Sequence, residues 1–357
     1  MLLTIGVFIG LLLLLVLAHE WGHFFAAKRS GCNVEEFAFG FPPRLWSIVR
    51  SGTRYSFNAL PLGGYVKIEG EDMGEMSPPP TSFAAKSPGV RILILVAGVV
   101  MNVILAAVLL AVQAGIGMPV LVSEENAGHV RDIKTFIVAV DVGSPAEAAG
   151  LARLDRIIRI GTLKNPTVTA VQAAVQASAG QELTMEIERQ GVHQTLQLVP
   201  RENPPAAEGA LGVGLQETGL KRVPWWQAPW HGVVRTGEMT AAIVSQFWLL
   251  AVNLVNGVPA GDAVTGPIGI AILTNEVTKL GVAYVLEFAA LISLNLALIN
   301  VFPFPALDGG RIFFVVLEAV LGYRLSPRLE RSAHAAGFAV LIALMLLVTL
   351  KDVVRFF

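Results

Sequence analysis

The sequence sets two histidines four residues apart with a glutamate beside the first, His19-Glu20-Trp21-Gly22-His23. On a helix, positions i and i+4 share a face. Both imidazoles can therefore grip one Zn2+ while Glu20 takes a proton from the water that the metal activates. With six histidines in 357 residues, an H-E-x-x-H by chance is rare. The competing reading is a helix end that has reached polar headgroups. It leaves two histidines and a glutamate in an apolar segment, where ionisable groups are costly and by default functional.

A catalytic zinc takes three protein ligands and keeps one position open, so one ligand is missing. His129 and His193 fall in a charged, soluble-looking stretch, and His231 and His334 at the borders of apolar runs, which makes all four poor candidates. Asp308 is better. It closes an apolar run in Asn300-Val-Phe-Pro303-Phe-Pro-Ala-Leu307-Asp308-Gly309-Gly310, where the prolines break the helix and the glycines let the chain turn sharply. The alternative makes Asp308 an N-cap for a helix over 311–321, and the local sequence leaves both open.

Composition says what must carry these residues. Charged residues make up 15% and apolar ones 54%. A soluble domain carries about 25% charged residues, so the deficit points to lipid as solvent. Disorder is excluded by the abundance of Leu, Ile, Val and Phe. A net charge of -1 gives nothing that draws the whole chain to nucleic acid. The single cysteine, Cys32, excludes an internal disulfide and a Cys-based zinc finger, and reads as a small apolar residue.

Four spans are expected, over 1–27, 89–117, 282–307 and 332–354, from uncharged runs long enough for a bilayer core of about 30 Å. The first run lacks a basic n-region and a small-x-small cleavage site, so it reads as a span and not as a signal peptide. Residues 124–222 differ: they carry charge, alternate apolar with polar residues and contain turn dipeptides, so they form a soluble mixed α/β domain. Met239–Gly261 is uncharged but holds Gln246, Asn253 and Asn256, a weak span.

Depth decides Asp308. At 1.5 Å per residue His19 lies roughly 25 Å along its span and Asp308 about 30 Å along its own, each near a basic, hence cytoplasmic, end. They share a depth only if an odd number of crossings separates them. The second span supplies one, so 224–261 is expected to lie as an interfacial amphipathic helix, anchored by Trp225, Trp226 and Trp230. Both termini and the soluble domain then fall outside the cytoplasm.

Together, H-E-x-x-H in the first span and N-x-x-P-x-x-x-L-D-G-G in a later one resemble the site-2 protease family of intramembrane zinc metalloproteases. The likeness is greatest to the bacterial regulator-of-sigma-E protease branch, with one PDZ domain inserted between the second and third spans. Further matches are Leu60-Pro-Leu-Gly63-Gly64-Tyr65-Val66-Lys67, Gly266-Pro267-Ile268, and the PDZ-like run from Gly143-Ser144-Pro145 through Gly150-Leu151 to Asp155-Arg156-Ile157-Ile158. The resemblance implies a polytopic α-helical membrane protein with a membrane-associated β-hairpin over 34–70 and an extracytoplasmic PDZ domain.

It also implies Zn2+ held by His19, His23 and Asp308, with Glu20 as general base. Asn300, two turns before Asp308 on the same helix, and Asn102, with Gly63 and Gly64, would serve the substrate or the developing oxyanion. Gly212-Val213-Gly214 would form the carboxylate-binding loop of the PDZ domain. The hairpin alternates Phe37, Phe39 and Phe41 with Ala38 and Gly40, turns at Ser51-Gly52-Thr53, and can offer an edge strand to an unwound substrate. Two departures stand out: Gly98-Val-Val-Met-Asn102 where the family often has Gly-Pro-x-x-Asn, and Leu154 where it usually has glycine.

The implied function is cleavage of single-span membrane proteins in the bacterial inner membrane, after their extracytoplasmic domains have been trimmed. Anti-sigma factors and remnant signal peptides are the implied substrates. The alternative is a non-catalytic PDZ scaffold, disfavoured because a pseudo-enzyme need not keep Glu20.

Overall fold

The computed structural model describes residues 2–71, 79–123, 126–189, 191–205, 209–257 and 265–356. Contacts divide the chain into two units: Met1–Val112 with Pro229–Thr278 and Val285–Phe357, and Gln113–Ala228 with Lys279–Tyr284.

In the first unit, α1 (Leu2–Arg29) leads into β1 (Val34–Arg50) and β2 (Thr53–Ile68), and then α2 runs from Pro88 to Ile116. The second unit supplies β3 (Met118–Leu121), β4 (Val130–Val140), α3 (Pro145–Ala148), β5 (Arg156–Ile160), β6 (Leu163–Lys164) and α4 (Val168–Ala177). It continues with β7 (Leu183–Arg189), β8 (Val192–Leu198) and β9 (Val213–Lys221). The chain returns to the first unit as α5 (Ala228–Val255), α6 (Pro267–Leu280), α7 (Val282–Val301), α8 (Asp308–Leu321) and α9 (Pro327–Phe356).

Among the described residues, α1, α2, α5, α7 and α9 are long and apolar enough to cross a membrane, one more than the four expected. The addition is α5. Its polar residues count for less than their types suggest, because Thr236 and Thr240 return their hydroxyls to the carbonyls of Gly232 and Thr236 on the same helix. The expected C-terminal end of that segment, around Gly261, lies outside the described residues. Helix α6 was not foreseen.

The expected third span needs a correction. Helix α7 stops at Val301, residues 302–307 are irregular, and Asp308 opens α8. Asn300 and Asp308 therefore stand on different helices. Pro303 and Pro305 impose the break, since each lacks an N–H for the helical ladder. A Cβ on Gly309 would come within 2.3 Å of the Val301 and Phe302 carbonyl oxygens, and one on Gly310 within 2.3 Å of the Phe304 oxygen. Only glycine lets the first turn of α8 sit this close to the end of α7.

The hairpin is also more than a hairpin. Phe37 pairs with both Val66 and Tyr55, and Phe39 with both Gly64 and Phe57, while residues 44–50 pair with 53–58. The two strands are thus laid out as four short rungs, with 34–39 inside and 64–68 on an edge. Buried Ala27, Cys32, Val34, Ile68, Phe83, Ile94, Leu95 and Val315 join α1, the hairpin, α2 and α8 in one core. A second core sets Ala106, Leu109 and Leu110 of α2 against Ile243 of α5 and Ala289, Ala290 and Leu294 of α7.

The second unit carries one sheet in the order β3-β9-β4-β5-β7-β8, with β6 beside β5. It begins earlier than the expected residue 124, because β3 pairs with the end of β9, Met118 facing Lys221. Its core gathers Ile137, Ile157, Ile160, Val171, Met185 and Ile187. Ser144 caps α3 by accepting from the Glu147 N–H, while the Glu147 carboxylate accepts from the N–H of Gly143, the residue before the cap. Leu154 has φ 73°, in the left-handed region, which explains why glycine is usual there.

Candidate metal centre

His19 and His23 project from one face of α1, with ring centroids 4.8 Å apart and planes at 84°. Asp308 comes from the first turn of α8. Its Oδ2 lies 3.1 Å from His19 Nε2 and 3.3 Å from His23 Nε2, and the two Nε2 atoms are 3.2 Å apart. Four tetrahedral zinc bonds of about 2.0–2.1 Å would hold their donor atoms roughly 3.3 Å apart, so this spacing fits the ion.

The chemistry of the donors fits as well. His23 Nδ1 is 2.9 Å from the Ile94 carbonyl oxygen, which can only accept, so Nδ1 carries the hydrogen and Nε2 a lone pair. Asp308 Oδ2 is buried without a hydrogen-bond partner among the described residues. Lone pairs converging on one point call for a cation. Asp308 makes no side-chain cap to α8, whose N-cap is Leu307, so the capping alternative fails and its carboxylate goes to the histidines.

The helices approach closely because glycine lines the contact. A Cβ on Gly22 would lie 2.2 Å from the Ala97 oxygen, and one on Gly98 would lie 2.3 Å from His23 Nε2 and 2.9 Å from His19 Cε1. Gly98 therefore empties the space that the imidazoles fill. One turn on, Asn102 is fully buried, its Nδ2 3.3 Å from His19 Nδ1 and its backbone oxygen accepting from Ser293 Oγ at 2.8 Å. Asn102 Oδ1 has no hydrogen-bond partner among the described residues. Turning the amide over lets Oδ1 accept from His19 Nδ1–H, the arrangement that frees His19 Nε2 for a metal. Asn102 thus sits on a ligand.

The other expected residues fall into two groups. Gly64 lies beside Glu20, whose Cγ a Cβ there would meet at 3.4 Å, while the tight contacts would be with the Ala38 oxygen at 2.9 Å and Val16 Cγ1 at 3.0 Å, so glycine lets the edge rung close on 34–39 and on α1. Gly63 has φ 151°, and a Cβ on it would press on the Phe41 ring at 2.9 Å. Glu20 is half-buried and makes no hydrogen bond among the described residues, and neither does the half-buried Asn300 amide. Gly212, Val213 and Gly214 are in the second unit. The Gly212 N–H bonds the Gly209 oxygen, its φ is 68°, and a Cβ would strike Ser144 at 2.5 Å, so Gly212 shapes the loop.

Sequence reasoning missed Gly22, Gly98, His334 and Gly337. A signal existed only for Gly98, which stands at i-4 from Asn102 and so on its face of α2.

Two imidazoles and an unengaged glutamate on a helix of membrane-spanning length, with a carboxylate from the short helix that follows another, define a membrane-embedded metal-dependent hydrolase. The profile of Peptidase family M50 matches residues 7–344. The chain is 30% identical to the zinc metalloprotease RasP of Oceanobacillus iheyensis, with 99% of each chain covered. It is 32% identical to a putative zinc metalloprotease of Rhizobium meliloti, over 98% of this chain and 96% of the relative. The chain belongs to peptidase family M50 and is a zinc metalloprotease.

Proposed function

We propose that this protease hydrolyses a peptide bond within or beside the transmembrane helix of single-span membrane proteins, once their extracytoplasmic part has been trimmed. Anti-sigma-factor-like regulators and remnant signal peptides are the substrates this membership suggests. The observation that carries the reading is the convergence of Asp308 on His19 and His23, which with Glu20 stand on a helix long and apolar enough to cross a membrane. The basic ends Lys28-Arg29 and Arg311 support an active site near the cytoplasmic face of the inner membrane, with both termini and the PDZ-like domain outside.

Zinc held by His19, His23 and Asp308 would supply Lewis acidity, polarising the scissile carbonyl and acidifying water. Glu20, free of hydrogen bonds to its neighbours, takes the proton of that water and returns it to the leaving amine. Asn300 offers an unengaged amide to the carbonyl oxygen or the substrate backbone. A helical peptide bond is sheathed by its own hydrogen bonds, so it must be drawn out before attack. Among the described residues the 64–68 rung pairs on one side only, with 34–39, and its other edge suits addition of an extended substrate strand beside Glu20.

In the second unit a cavity of about 350 Å³ runs between Val171, Val175 and Gln172 of α4 and the 209–213 loop. It favours peptide binding by that domain over size exclusion alone. Strand β3 pairs with residues 218–221 of β9 and, among the described residues, leaves 213–216 open on that side.

The test is cleavage of a tagged single-span reporter, lacking its extracytoplasmic domain, by the purified wild type and Glu20→Gln, with bound zinc counted in both. The wild type should cut. Glu20→Gln should keep its zinc and lose about 100-fold or more in rate, the usual worth of a general base. A zinc-free wild type that cuts no truncated reporter would sink the reading and leave the scaffold.

A further inference from the structure

The segment that delivers Asp308 carries a conformational liability. Ala306, two residues before the carboxylate, has φ 81°, where an L-residue with a Cβ is strained. Such a conformation persists only where the surroundings over-determine it. The loop's own bonds, Phe304 N–H to the Phe302 oxygen and Leu307 N–H to the Phe304 oxygen, leave the Ala306 N–H to be met from elsewhere. It is met from α9: His334 Nδ1 accepts it at 2.9 Å.

One turn further along α9, Gly337 is buried, and a Cβ there would lie 2.3 Å from the Pro305 oxygen and 2.7 Å from the Pro305 carbonyl carbon. Helix α9 thus meets the loop twice at consecutive residues, once by a hydrogen bond and once by backbone packing that only glycine permits.

We propose that His334, seated by Gly337, is a positioning residue that pins the strained Ala306 turn and so aims Asp308 at the metal. The proposal rests on Asp308 being a zinc ligand. A backbone N–H can only donate, so His334 Nδ1 carries the lone pair and Nε2 the hydrogen. Among the described residues Nε2 is buried without a hydrogen-bond partner, as is Glu330 Oε2, and Glu330 Oε1 lies 3.9 Å from Nε2. Both residues line a cavity of about 130 Å³ together with Arg91, Glu71 and Arg311. The space is ample for water, and a molecule bridging Nε2–H to the Glu330 carboxylate would fix the tautomer that the loop needs. The ring is also held against Phe314 of α8, centroids 5.6 Å apart, so the helix that begins at Asp308 and the loop before it are referred to the same side chain.

The test exploits a difference of reach. The Asn amide oxygen can occupy the place of Nδ1, whereas the Gln amide lands near Nε2. Zinc affinity of the full-length detergent-solubilised protein is measured by chelator competition for the wild type, His334→Asn, His334→Gln, Gly337→Ala and Asp308→Ala. His334→Asn should hold zinc within about 3-fold of the wild type. His334→Gln and Gly337→Ala should hold it about 10-fold or more weakly, the low end for losing an outer-shell support.

Equal affinity for the Asn and Gln variants overturns the proposal, even if both folded less well, because a merely structural role would not distinguish them. Should Asp308→Ala bind zinc like the wild type, the ligand assignment itself fails. Should only that variant lose zinc, the ligand stands and the clamp falls.

Discussion

Asn102 shows how one hydrogen bond separates two roles. A residue that serves substrate alters KM and leaves zinc affinity untouched. One that orients His19 alters zinc affinity first. Asn102→Leu removes the only side-chain partner of His19 Nδ1 among the described residues, and zinc affinity should fall about 10- to 100-fold. Asn102→Asp keeps an acceptor at the same place and should retain the metal. Zinc binding by Asn102→Leu at the wild-type level, with a raised KM, would return Asn102 to the substrate. Gly98 makes a sharper steric case, because Gly98→Ala drives a methyl within 2.3 Å of His23 Nε2. Zinc should be lost in that variant, while Gly89→Ala, at the start of the same helix with open space around it, keeps a full equivalent. Counting zinc per chain in the two variants decides the point.

Strands and loops carry their own strain, and Leu154 is where it can be measured. Its φ of 73° and 68% exposure mean that Leu154→Gly removes a conformational penalty and almost no packing. The gain should be about 1 kcal/mol, the difference between a residue with a Cβ and glycine in the left-handed region. Hydrogen exchange in the intact protein should show the amides of β5 opening about 5-fold less often, and unchanged protection there would mean that Leu154 is not strained. The element-level pattern was legible where it is local. The four uncharged runs became α1, α2, α7 and α9, and Ser51-Gly52 turns the hairpin with φ of 49° and 78°. Asp308 was singled out by counting depth along two spans, a count that ran 302–307 as helix although α7 ends at Val301. What remained hidden depends on approach between elements distant in sequence. The double pairing of Phe37 and Phe39, the contact of Gly337 with Pro305 and the hydrogen bond from Ala306 to His334 leave no period in the chain. The six-residue gap before α8 was half legible: the prolines announced a break, but the glycine contacts that fold α8 back under it did not.

The membrane crossing number ties the two catalytic helices together, and α5 decides it. Thr4 at the start of α1 donates to Asn275 of α6, and Gly266 and Gly269 donate to Asp352 at the end of α9. The first turns of α5 lie along α2, where a Cβ on Gly232 would come within 2.4 Å of the Ala107 oxygen. The Thr4 and Asp352 contacts lie fifteen residues along α1 from His19 and eighteen along α9 from His334. An interfacial or dipping α5 keeps an odd number of crossings between α1 and α7, so that the basic ends beside His19 and Asp308 share a face. Single cysteines at Trp230 and Asn256 test it in inverted and right-side-out vesicles with a membrane-impermeant maleimide. The native Cys32 need not be removed, because its side chain is buried and withheld from the reagent, and the same burial pushes its thiol pKa up. Both introduced cysteines should react only from the extracytoplasmic side. Labelling of position 256 from the cytoplasmic side alone would make α5 a true span. Asp308 could then share a depth with His19 only if another stretch of chain recrossed the membrane before α7.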